Sequence, residues 1–521
     1  MKNINNSLYT IFNKEGIMMT TNTEEKKLTD AIIKANEHKL TNLDDFDIYK
    51  ELTTVLKEVG LTVEDCEGTV TFYGQDPIVP STLRLASAAA IALVAKSIAV
   101  SKIWRMRGGK GQNIHMDLRK ALRRLSPFYD RQWEKINGLA PGIANDPYNP
   151  FDFTFYQTKD GKWVMPLNPY PRSKHEALLF LNCTEDRQSV ASAIKQWNSK
   201  DLENAAAERG IVMPVVRTIE EFMKESTYEE VAKLPLIEIE KIGESDPEPL
   251  SEDAKSPLEG VRALGLAHVI AGAGFGRALA LHGADVLNIW RPTDWEHDIV
   301  YATSNVGMRS ATLDLKIEQG KHKMKELLQD ADIFFANRRS GFIEQQELSA
   351  EDCAQIRPGI IHCTVNLHGT EGEWATRNGF DQTAGCVTGV MALEGSPDNP
   401  KLPPISIVND YAISWLLEVG ALVALERRAK EGGSYRVRVS LDRVSLWILS
   451  MGIFDKRFVE KTAGSSEEHE YIAPDLFTAE TPLGLYQGVT DQVKMSETPG
   501  EYNTVLVPRG SSRPEWQFSE K

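Results

Sequence analysis

Strand-like and helix-like segments alternate from Leu258 onward, and this alternation is the feature that most restricts the fold of the chain. The segments predicted as strands are 261–266, 284–290, 332–335 and 359–365. Between them the sequence predicts helices at 275–282 and 316–330 and a tight glycine turn at 272–276. Strands that alternate with helices form a parallel sheet covered on both faces. The sequence therefore predicts an α/β fold built on a parallel sheet.

The overall composition argues against several classes of function. A net charge of −15 repels polyanions, so the sequence predicts no nucleic-acid partner. The five cysteines are scattered and form no CxxC pair, which predicts neither a disulfide framework nor a metal site. Free thiols fit a reducing compartment, and we expect a cytoplasmic protein. The longest apolar run, 85–100, contains Lys96 and is shorter than the ~20 residues that span a membrane.

The length of the chain allows about two to four domains. Changes in composition and in predicted secondary structure suggest where the chain divides. Residues 23–58 are predicted to form two polar helices, and 147–255 a hairpin around Asp160-Gly161 followed by helices. The acidic, proline-rich stretch 243–257 is predicted to be a linker, and the glutamate-rich run 235–252 a solvated segment. The last part of the chain is expected to form loops and short strands.

Asp410 ends a β-like run, 404–409, and precedes a helix-like run, 411–430. A carboxylate at such a junction either caps the helix or, beside the positive end of the helix dipole, serves as a nucleophile. An imperfect copy of the segment lies 323 positions earlier (410 − 87), where Ser87 replaces the acid. In both copies a helix, a basic exit, a glycine turn and a strand follow in the same order. The sequence therefore predicts an internal repeat in which one copy keeps the acid.

Seven motifs carry a resemblance to a known family. Five of them follow residue 256 in a fixed order: PLEGVRAL (257–264), GADVLNIW (283–290), NVGMRSATLDLK (305–316), ADIFFANRRSG (331–341) and RPGIIHCT (357–364). These resemble motifs of the class III CoA-transferase family, the CaiB/BaiF group. Two earlier motifs, RGGKGQ (107–112) and KDGKW (159–163), resemble later parts of the same family. This order is similar to that of long, two-part fungal members.

The resemblance implies a Rossmann-like large domain and a smaller α+β domain, with the family halves rearranged and fused. It implies the following segments: a helical extension (1–80), a partial repeat with the small domain and no catalytic aspartate (81–250), the Rossmann-like large domain (256–455) and a family tail (456–521).

The resemblance also implies which residues form the site. The catalytic aspartate falls on Asp410, and Asp381 takes the place of an acid near the nucleophile. The implied CoA contacts are His268, Ala271, Arg291, Leu313, Lys316, Asn337 and Arg338. The chain departs from the family pattern at Ile270, Trp290, Met308 and Gln345.

The activity implied by the resemblance is transfer of CoA from an acyl-CoA thioester to a carboxylic acid, through an aspartyl anhydride and an aspartyl-CoA thioester. The partners would be these two substrates, with no tightly bound cofactor, no metal and no membrane. Relatives form interlocked dimers, so the resemblance leaves a homodimer open. The acyl donor and the acceptor acid are not implied.

Three alternatives stay open at this point. A catalytically silent CoA-binding or scaffold protein would keep the fold and bind CoA without exchange. An acyl-CoA racemase would need a proton-shuttling residue where this chain has Phe380. An NADP-dependent oxidoreductase would use the predicted glycine turn for phosphate and Arg291 for the 2′-phosphate.

Overall fold

The computed structural model describes residues 25–125, 127, 130–142, 148–406 and 408–517. In chain order, its α-helices are α1 (25–37), α2 (Ile48–Glu58), α3 (Leu85–Met106), α4 (Leu118–Ala121), α5 (Pro171–Leu181), α6 (Arg187–Ile194), α7 (Ser199–Ala207), α8 (Ile219–Phe222), α9 (Ser226–Ala232), α10 (Ala271–Leu281), α11 (Asp298–Ser304), α12 (Glu318–Gln329), α13 (Phe342–Gln345), α14 (Ala350–Ile356), α15 (Asp381–Val387), α16 (Val390–Glu394), α17 (Val408–Glu431), α18 (Leu441–Ser450) and α19 (Lys456–Thr462). Short 3-10 helices cover Val63–Cys66, Leu122–Arg124 and Glu467–His469.

The strands of the described residues are β1 (Val70–Tyr73), β2 (Ile114–Asp117), β3 (Lys135–Ile136), β4 (Tyr156–Gln157), β5 (Trp163–Val164), β6 (Glu238–Gly243), β7 (Arg262–Leu266), β8 (Asp285–Trp290), β9 (Arg309–Thr312), β10 (Ile333–Ala336), β11 (Ile361–Asn366), β12 (Ser434–Ser440), β13 (Leu476–Thr481), β14 (Gly484–Val489) and β15 (Val493–Met495). They form sheets in the orders β1-β2-β15, β13-β14-β3, β4-β5 and β6-β12-β11-β10-β7-β8-β9.

The seven-stranded sheet confirms the predicted α/β class. Strands β12 to β9 are parallel throughout, and β6 is an antiparallel edge strand. On one face, Ala263 and Phe335 join the core cluster of α10 and α17. On the other face, Leu264 and Phe334 pack with α12 and α14. Because helices cover both faces, the central strands are buried on both sides, as their apolar sequences require.

Helices α3 and α17 form the longest helix pair among the described residues, and they pack against each other. Each is long and apolar enough to cross a membrane by length and composition. Their most apolar windows, however, are 94% and 100% buried within the protein. A helix that is apolar on all sides is also the expected form of a helix in a large core. Both are therefore core helices of this fold.

The glycine segment predicted as a tight turn is instead part of α10, so that prediction is wrong. The glycines serve close packing. A Cβ on Gly272 would lie 2.5 Å from Cγ of Asn337, and one on Gly276 would lie 2.3 Å from Sδ of Met308. Glycine allows a helix to approach its neighbours this closely. The correction also removes the glycine turn on which the dinucleotide alternative depended.

The strand predicted just before Asp410 is also wrong in the described residues. Residues 404–406 form bends and a turn, and α17 begins at Val408, so Asp410 lies in the first turn of the helix. Pro403 and Pro404 have no backbone N–H to contribute to a strand ladder. Residue 407, within the predicted strand, lies outside the described residues.

The run 235–252, predicted to be solvated, contains the edge strand β6 of the large sheet. The glutamates of β6 face arginines of β12. Glu238 pairs with Arg438 at 2.8 Å, and Glu240 pairs with Arg436 at 3.0 Å. Opposite charges on neighbouring strands stabilise an edge pair, so the charge pattern that indicated a solvated segment is the pattern of a paired edge strand.

Candidate functional site

The residues predicted to contact CoA follow the carboxyl ends of adjacent strands. His268 and Ala271 follow β7, Arg291 follows β8, Leu313 and Lys316 follow β9, and Asn337 and Arg338 follow β10. Parallel strands place their carboxyl ends along one edge, which is where open α/β sheets bind ligands. The structure thus brings these segments to one edge of the sheet, while the role of each residue in binding CoA stays a prediction.

Asn337 joins the ends of β10 and β7. Its Oδ1 accepts a hydrogen bond from the backbone N–H of His268 at 3.1 Å, and its Nδ2 donates to the carbonyl of His268 at 2.7 Å. Burial and the charge of Arg338 lower the pKa of His268 to about 3. The imidazole is therefore neutral at physiological pH, with one nitrogen that donates and one that accepts.

Several arginines concentrate positive charge at this edge. Asp294 accepts hydrogen bonds from Arg291 at 2.6 Å and from Arg338 at 2.9 Å. Burial, followed by the charges of Arg172 and Arg291, lowers the pKa of Arg339. Guanidinium groups remain protonated in proteins, so the cluster stays cationic. The single carboxylate of Asp294 offsets only part of this charge, and the edge can attract a polyanionic ligand despite the acidic protein.

Leu313 and Lys316 lie at the far side of the edge. The backbone N–H of Leu313 donates to the carbonyl of Trp290 at 2.9 Å, and its side chain is buried. Lys316 is exposed, and its backbone N–H donates to Oδ1 of Asp314 at 3.0 Å. No hydrogen bond or ion pair joins the side chain of Lys316 to the other predicted contacts within the described ranges.

Asp410 and Asp381 come together at the start of α17. The backbone N–H of Asp410 donates to Oδ2 of Asp381 at 2.9 Å. Asn409 donates from Nδ2 to Oδ1 of Asp381 at 3.1 Å and to Oγ of Ser445 at 2.8 Å. Asp381 thereby caps the helix from another element, which is α15. Asp410 is 6% exposed and Asp381 is 5% exposed, so this is a buried pair.

Burial makes both carboxyl groups harder to ionise. It raises the pKa of Asp410 to about 7. Burial, and then the charge of Asp410, raises the pKa of Asp381 well above its usual value. Two acids this close lose their protons as a pair, with the second loss opposed by the first charge. The pair can therefore hold a proton at neutral pH, a property typical of functional carboxylates.

Sequence reasoning missed Tyr170, which lies near enough to Asp410 for its charge to act on the tyrosine hydroxyl, and Glu296, which this hydroxyl contacts. The hydroxyl of Tyr170 donates to Oε1 of Glu296 at 2.8 Å, and the backbone N–H of Val269 donates to Oε2 at 2.8 Å. Burial raises the pKa of Glu296 to about 7. Burial, Glu296 and Asp410 together hold the pKa of Tyr170 well above its usual value. Glu296 follows β8 at the same sheet edge, whereas no pattern around Tyr170 pointed to this site.

An aromatic cluster surrounds the ring of Tyr170. Phe380 stacks on it with centroids 6.2 Å apart and an interplanar angle of 12°. His268 meets it edge-on at 6.4 Å, Trp295 at 5.8 Å, and His297 tilts against it at 5.3 Å. These rings make one wall of the site apolar.

The position of Ser87 has a similar local geometry. Asp76 accepts hydrogen bonds from the backbone N–H of Ser87 at 2.7 Å and of Ala86 at 3.3 Å. Ser87 lies in the first turn of α3, as Asp410 lies in the first turn of α17. Both helix starts thus have an aspartate that caps the helix from another segment. At the start of α3, the position that corresponds to Asp410 in the predicted repeat carries a hydroxyl group and no carboxylate.

No group of three or more potential metal-ligating side chains occurs among the described residues.

Comparison with known proteins agrees with the motif order. Residues 258–492 match the profile of CoA-transferase family III. The chain is 28% identical over 240 residues to an acetyl-coenzyme A transferase of Hypoxylon pulicicidum, covering 43% of this chain and 40% of the relative. It is 23% identical over 362 residues to an acyl-CoA transferase of Gibberella moniliformis, covering 64% of this chain and 63% of the relative.

A succinyl-CoA:glutarate CoA-transferase of Mus musculus is 31% identical over 184 residues, which cover 33% of this chain and 42% of that protein. A CaiB/BaiF family protein from Brucella suis of known structure is 24% identical, with a TM-score of 0.33 and coverage of 44% of this chain and 65% of that one. The chain spans 40%, 63% and 42% of the lengths of these curated relatives. Residues 258–492 of the chain belong to CoA-transferase family III, the CaiB/BaiF group.

Proposed function

We propose that this protein transfers CoA from an acyl-CoA thioester to a carboxylic acid, with Asp410 as the covalent nucleophile. The observation that carries the proposal is the buried Asp410 carboxyl group in the first turn of α17. Its neighbour Asp381 accepts the backbone N–H of Asp410 at 2.9 Å, which fixes the start of the helix. The proposal includes a cytoplasmic location, which the free state of all five cysteines supports.

The covalent steps balance without a cofactor or an added proton. The Asp410 carboxylate attacks the thioester carbonyl, forming a mixed anhydride as the C–S bond breaks and CoA thiolate leaves. The thiolate then attacks the aspartyl carbonyl, forming an aspartyl-CoA thioester and releasing the donor acid as its carboxylate. The acceptor carboxylate attacks this thioester, and the released thiolate attacks the acyl carbonyl of the new anhydride. The last step forms the new acyl-CoA and restores Asp410.

The sheet edge provides the charge complementary to CoA. Arg291, Arg339 and Arg172 supply guanidinium groups for phosphate, the ligand geometry that arginine binds best. The buried Arg338, which donates to Asp294 and to the carbonyl of Leu266, adds positive charge behind them. The positive end of the α17 dipole stabilises the negative charge of the tetrahedral oxyanions. The N-terminal end of the helix also favours the negative charge that Asp410 needs for attack.

A CoA-binding scaffold is the second candidate, because Ser87 shows that one copy lacks the acid. Racemase chemistry has less support. Phe380, at the position of the shuttling residue, stacks on Tyr170 and has no proton to exchange. The oxidoreductase alternative loses its support because the glycines of α10 are part of the helix.

The test is chemical trapping of the activated aspartate. The protein is incubated with a panel of acyl-CoAs and hydroxylamine, which converts an aspartyl ester, anhydride or thioester into a stable hydroxamate. Intact-mass spectrometry and peptide mapping then locate the modified residue. We expect a hydroxamate on Asp410, together with loss of CoA exchange by about three orders of magnitude or more in Asp410→Ala.

Ser87→Ala is the matched control, because Ser87 occupies the equivalent helical turn in α3 and is also buried. This variant should form the hydroxamate on Asp410 and transfer CoA like the wild type. CoA-thioester binding without any adduct across the panel would support the scaffold and contradict the transferase. An adduct on a residue other than Asp410 would contradict the assignment of the nucleophile.

A further inference from the structure

A cavity of about 290 Å³ lies away from Asp410, between α3, the end of α10 and the strands β13 to β15. Lys96, His282 and Asp491 form its polar end. All three are buried, with Lys96 at 1% and His282 at 2% exposure. None of them belongs to the proposed catalytic site, which lies at the opposite end of α10. The cavity is therefore a separate feature of the molecule.

The polar end contains buried hydrogen-bonding groups without partners among the described residues. Lys96 donates to Asp491, the one hydrogen-bond partner of its ammonium group among the described residues. Asp491 also accepts from Nε of Arg124 at 3.3 Å. Neither ring nitrogen of His282 and neither carboxyl oxygen of Glu418 has a hydrogen-bond partner within the described ranges. Burying such groups without partners is unfavourable, so a ligand that pairs with them gains affinity.

The protonation states of His282 and Glu418 determine which hydrogen bonds these two groups can donate to a ligand. Burial lowers the pKa of His282 to about 3, so the ring is neutral and offers one N–H. Burial raises the pKa of Glu418 to about 8, so its carboxyl group keeps a proton at neutral pH and can donate it. Lys96 and Arg124 then carry two positive charges against the one carboxylate of Asp491. The complementary ligand is an anion with at least two acceptor atoms.

Neighbouring charges do not cancel this surplus. Arg277 and Glu134 lie near each other, 3.6 Å apart, and form a balanced pair. Glu501 lines the cavity but is exposed, where water screens its charge. At the buried end Lys96 pairs with the carboxylate of Asp491, and Arg124 behind it adds a second positive charge that one ligand carboxylate can offset.

The rest of the wall is mainly apolar and limits the size of the ligand. Leu281, Phe477, Val493, Met495 and Val505 contribute aliphatic and aromatic surface. A volume near 290 Å³ is at the lower end of the range for small-molecule pockets, about 300–1,000 Å³. It holds a compact organic acid and not a whole CoA thioester.

We infer that this cavity is a second, non-catalytic site that binds a small free monocarboxylic acid with an apolar tail. The carboxylate lies against Lys96 and His282, and the tail lies among the apolar side chains of β13 to β15. The inference does not depend on the transfer reaction, since no residue of the cavity is in the proposed catalytic site.

The test measures binding to the full-length Asp410→Ala protein, so that turnover at the catalytic site cannot contribute. Isothermal titration calorimetry with butyrate, hexanoate and benzoate should show one molecule bound per chain, with a Kd of about 1 mM or tighter for the best acid. Hexanamide, which has the same tail and no charge, should bind at least tenfold more weakly than hexanoate.

Two variants locate the bound acid. Ala479→Phe fills the cavity from β13 without changing a polar group, and His282→Gln alters the polar end. Each should weaken hexanoate binding at least tenfold, whereas Leu485→Phe, an exposed residue of β14 outside the cavity, should leave it unchanged. Failure of every acid to bind would overturn the inference. Equal affinity for hexanamide, or undiminished binding by Ala479→Phe, would overturn it as well, and Ala479→Phe stays decisive if His282→Gln does not fold.

Discussion

At the residue scale, the charge of Asp410 is subject to two opposing influences. Burial raises its pKa to about 7, because a carboxylate loses hydration inside the protein. The N-terminal end of α17 favours the ionised form, because the positive end of the helix dipole attracts negative charge. A nucleophile with a pKa near neutrality is ionised in a useful fraction and still basic enough to attack a carbonyl carbon.

The first prediction concerns the pH dependence of catalysis. Attack requires the carboxylate, so protonation of Asp410 stops the first step. Because burial raises the pKa to about 7, kcat/KM should increase with pH and level off above neutrality, with a midpoint near 7. An aspartate with an ordinary pKa would give a midpoint of the kcat/KM profile at about pH 4. The measurement is the pH profile of kcat/KM for CoA exchange between about pH 5 and 9.

The control for this profile is the folded state itself. Near-ultraviolet circular dichroism across the same pH range shows whether activity is lost because the protein unfolds. A profile that is flat across the range, with the protein folded throughout, would contradict both the raised pKa and the role of Asp410.

The sequence predicted the site at this scale only in part. Asp410 was visible from its junction and from the incomplete copy at Ser87, and Asp381 from the resemblance. Tyr170 was not predictable, because it reaches Asp410 from a distant segment and contacts Glu296 through the fold alone. Periodicity identifies which residues are buried in an element, but it carries no information on which elements meet.

At the element scale, the contact between α10 and α17 positions Asp410. Oγ of Ser414 lies 2.7 Å from the carbonyl oxygen of Ala271 and 2.8 Å from that of Asp410. Gly274 lies against the same hydroxyl group, and a Cβ at this position would be 2.8 Å from Oγ. The glycine therefore lets one hydroxyl group connect the start of α10 with the turn of α17 that carries Asp410, the proposed nucleophile.

The second prediction is that Gly274→Ala destabilises the protein and slows CoA exchange. The added methyl group would displace Oγ of Ser414. Overpacking a core costs about 1–3 kcal/mol, and the better helix propensity of alanine returns at most about 1 kcal/mol. We expect the free energy of unfolding to fall by about 1–2 kcal/mol in urea denaturation, with a lower rate of exchange.

The double variant Gly274→Ala with Ser414→Ala provides the matched control. Removal of Oγ leaves the new methyl group at an ordinary distance, 3.4 Å from Cβ of residue 414. The double variant should therefore be at least as stable as Ser414→Ala alone. Equal destabilisation by Gly274→Ala in both backgrounds would show that the contact with Ser414 is not the cause.

The same contact explains why the sequence predicted a turn at 272–276 where the structure has a helix. Glycines close in sequence after a strand are typical of a phosphate-binding turn, but they are equally suited to a helix that packs closely. Only the neighbours distinguish the two cases, and these are Asn337, Ser414 and Met308 from three other segments.

At the scale of the whole molecule, the two halves of the chain, before and after the predicted linker 243–257, share sheets and a helix pair. The parallel sheet was predictable because four of its strands, β7, β8, β10 and β11, coincide with local, mainly apolar runs in the sequence. The positions of β6 and β15 were not, because β6 joins the large sheet beside β12 and β15 pairs with β2. The four-segment division of the chain stays a proposal. In its favour, α3 and α4 begin at Leu85 and Leu118, and α17 and α18 begin at Val408 and Leu441, with equal spacing.

Arg107, at the end of α3, binds the linker between the halves. Its Nε donates to the carbonyl of Ser251 at 2.8 Å, and its Nη1 and Nη2 donate to the carbonyls of Pro257 and Glu259, both at 2.9 Å. The stretch predicted as a linker has no helix or strand over 244–257, but it is held against the body of the protein. The two halves are therefore joined by non-covalent contacts as well as by the covalent chain of this stretch.

The third prediction is that cutting the chain in the linker leaves the protein assembled. A protease site introduced at the exposed residues 252–253 would separate the halves covalently. Two contacts join the fragments on either side of the cut: α3 packs on α17, and β6 pairs with β12. These contacts bury a large apolar surface. After cleavage, both fragments should elute together in native size-exclusion chromatography and keep most of the exchange activity, whereas they should separate in urea. Separate elution under native conditions would show that the two fragments are independent units that do not share one core.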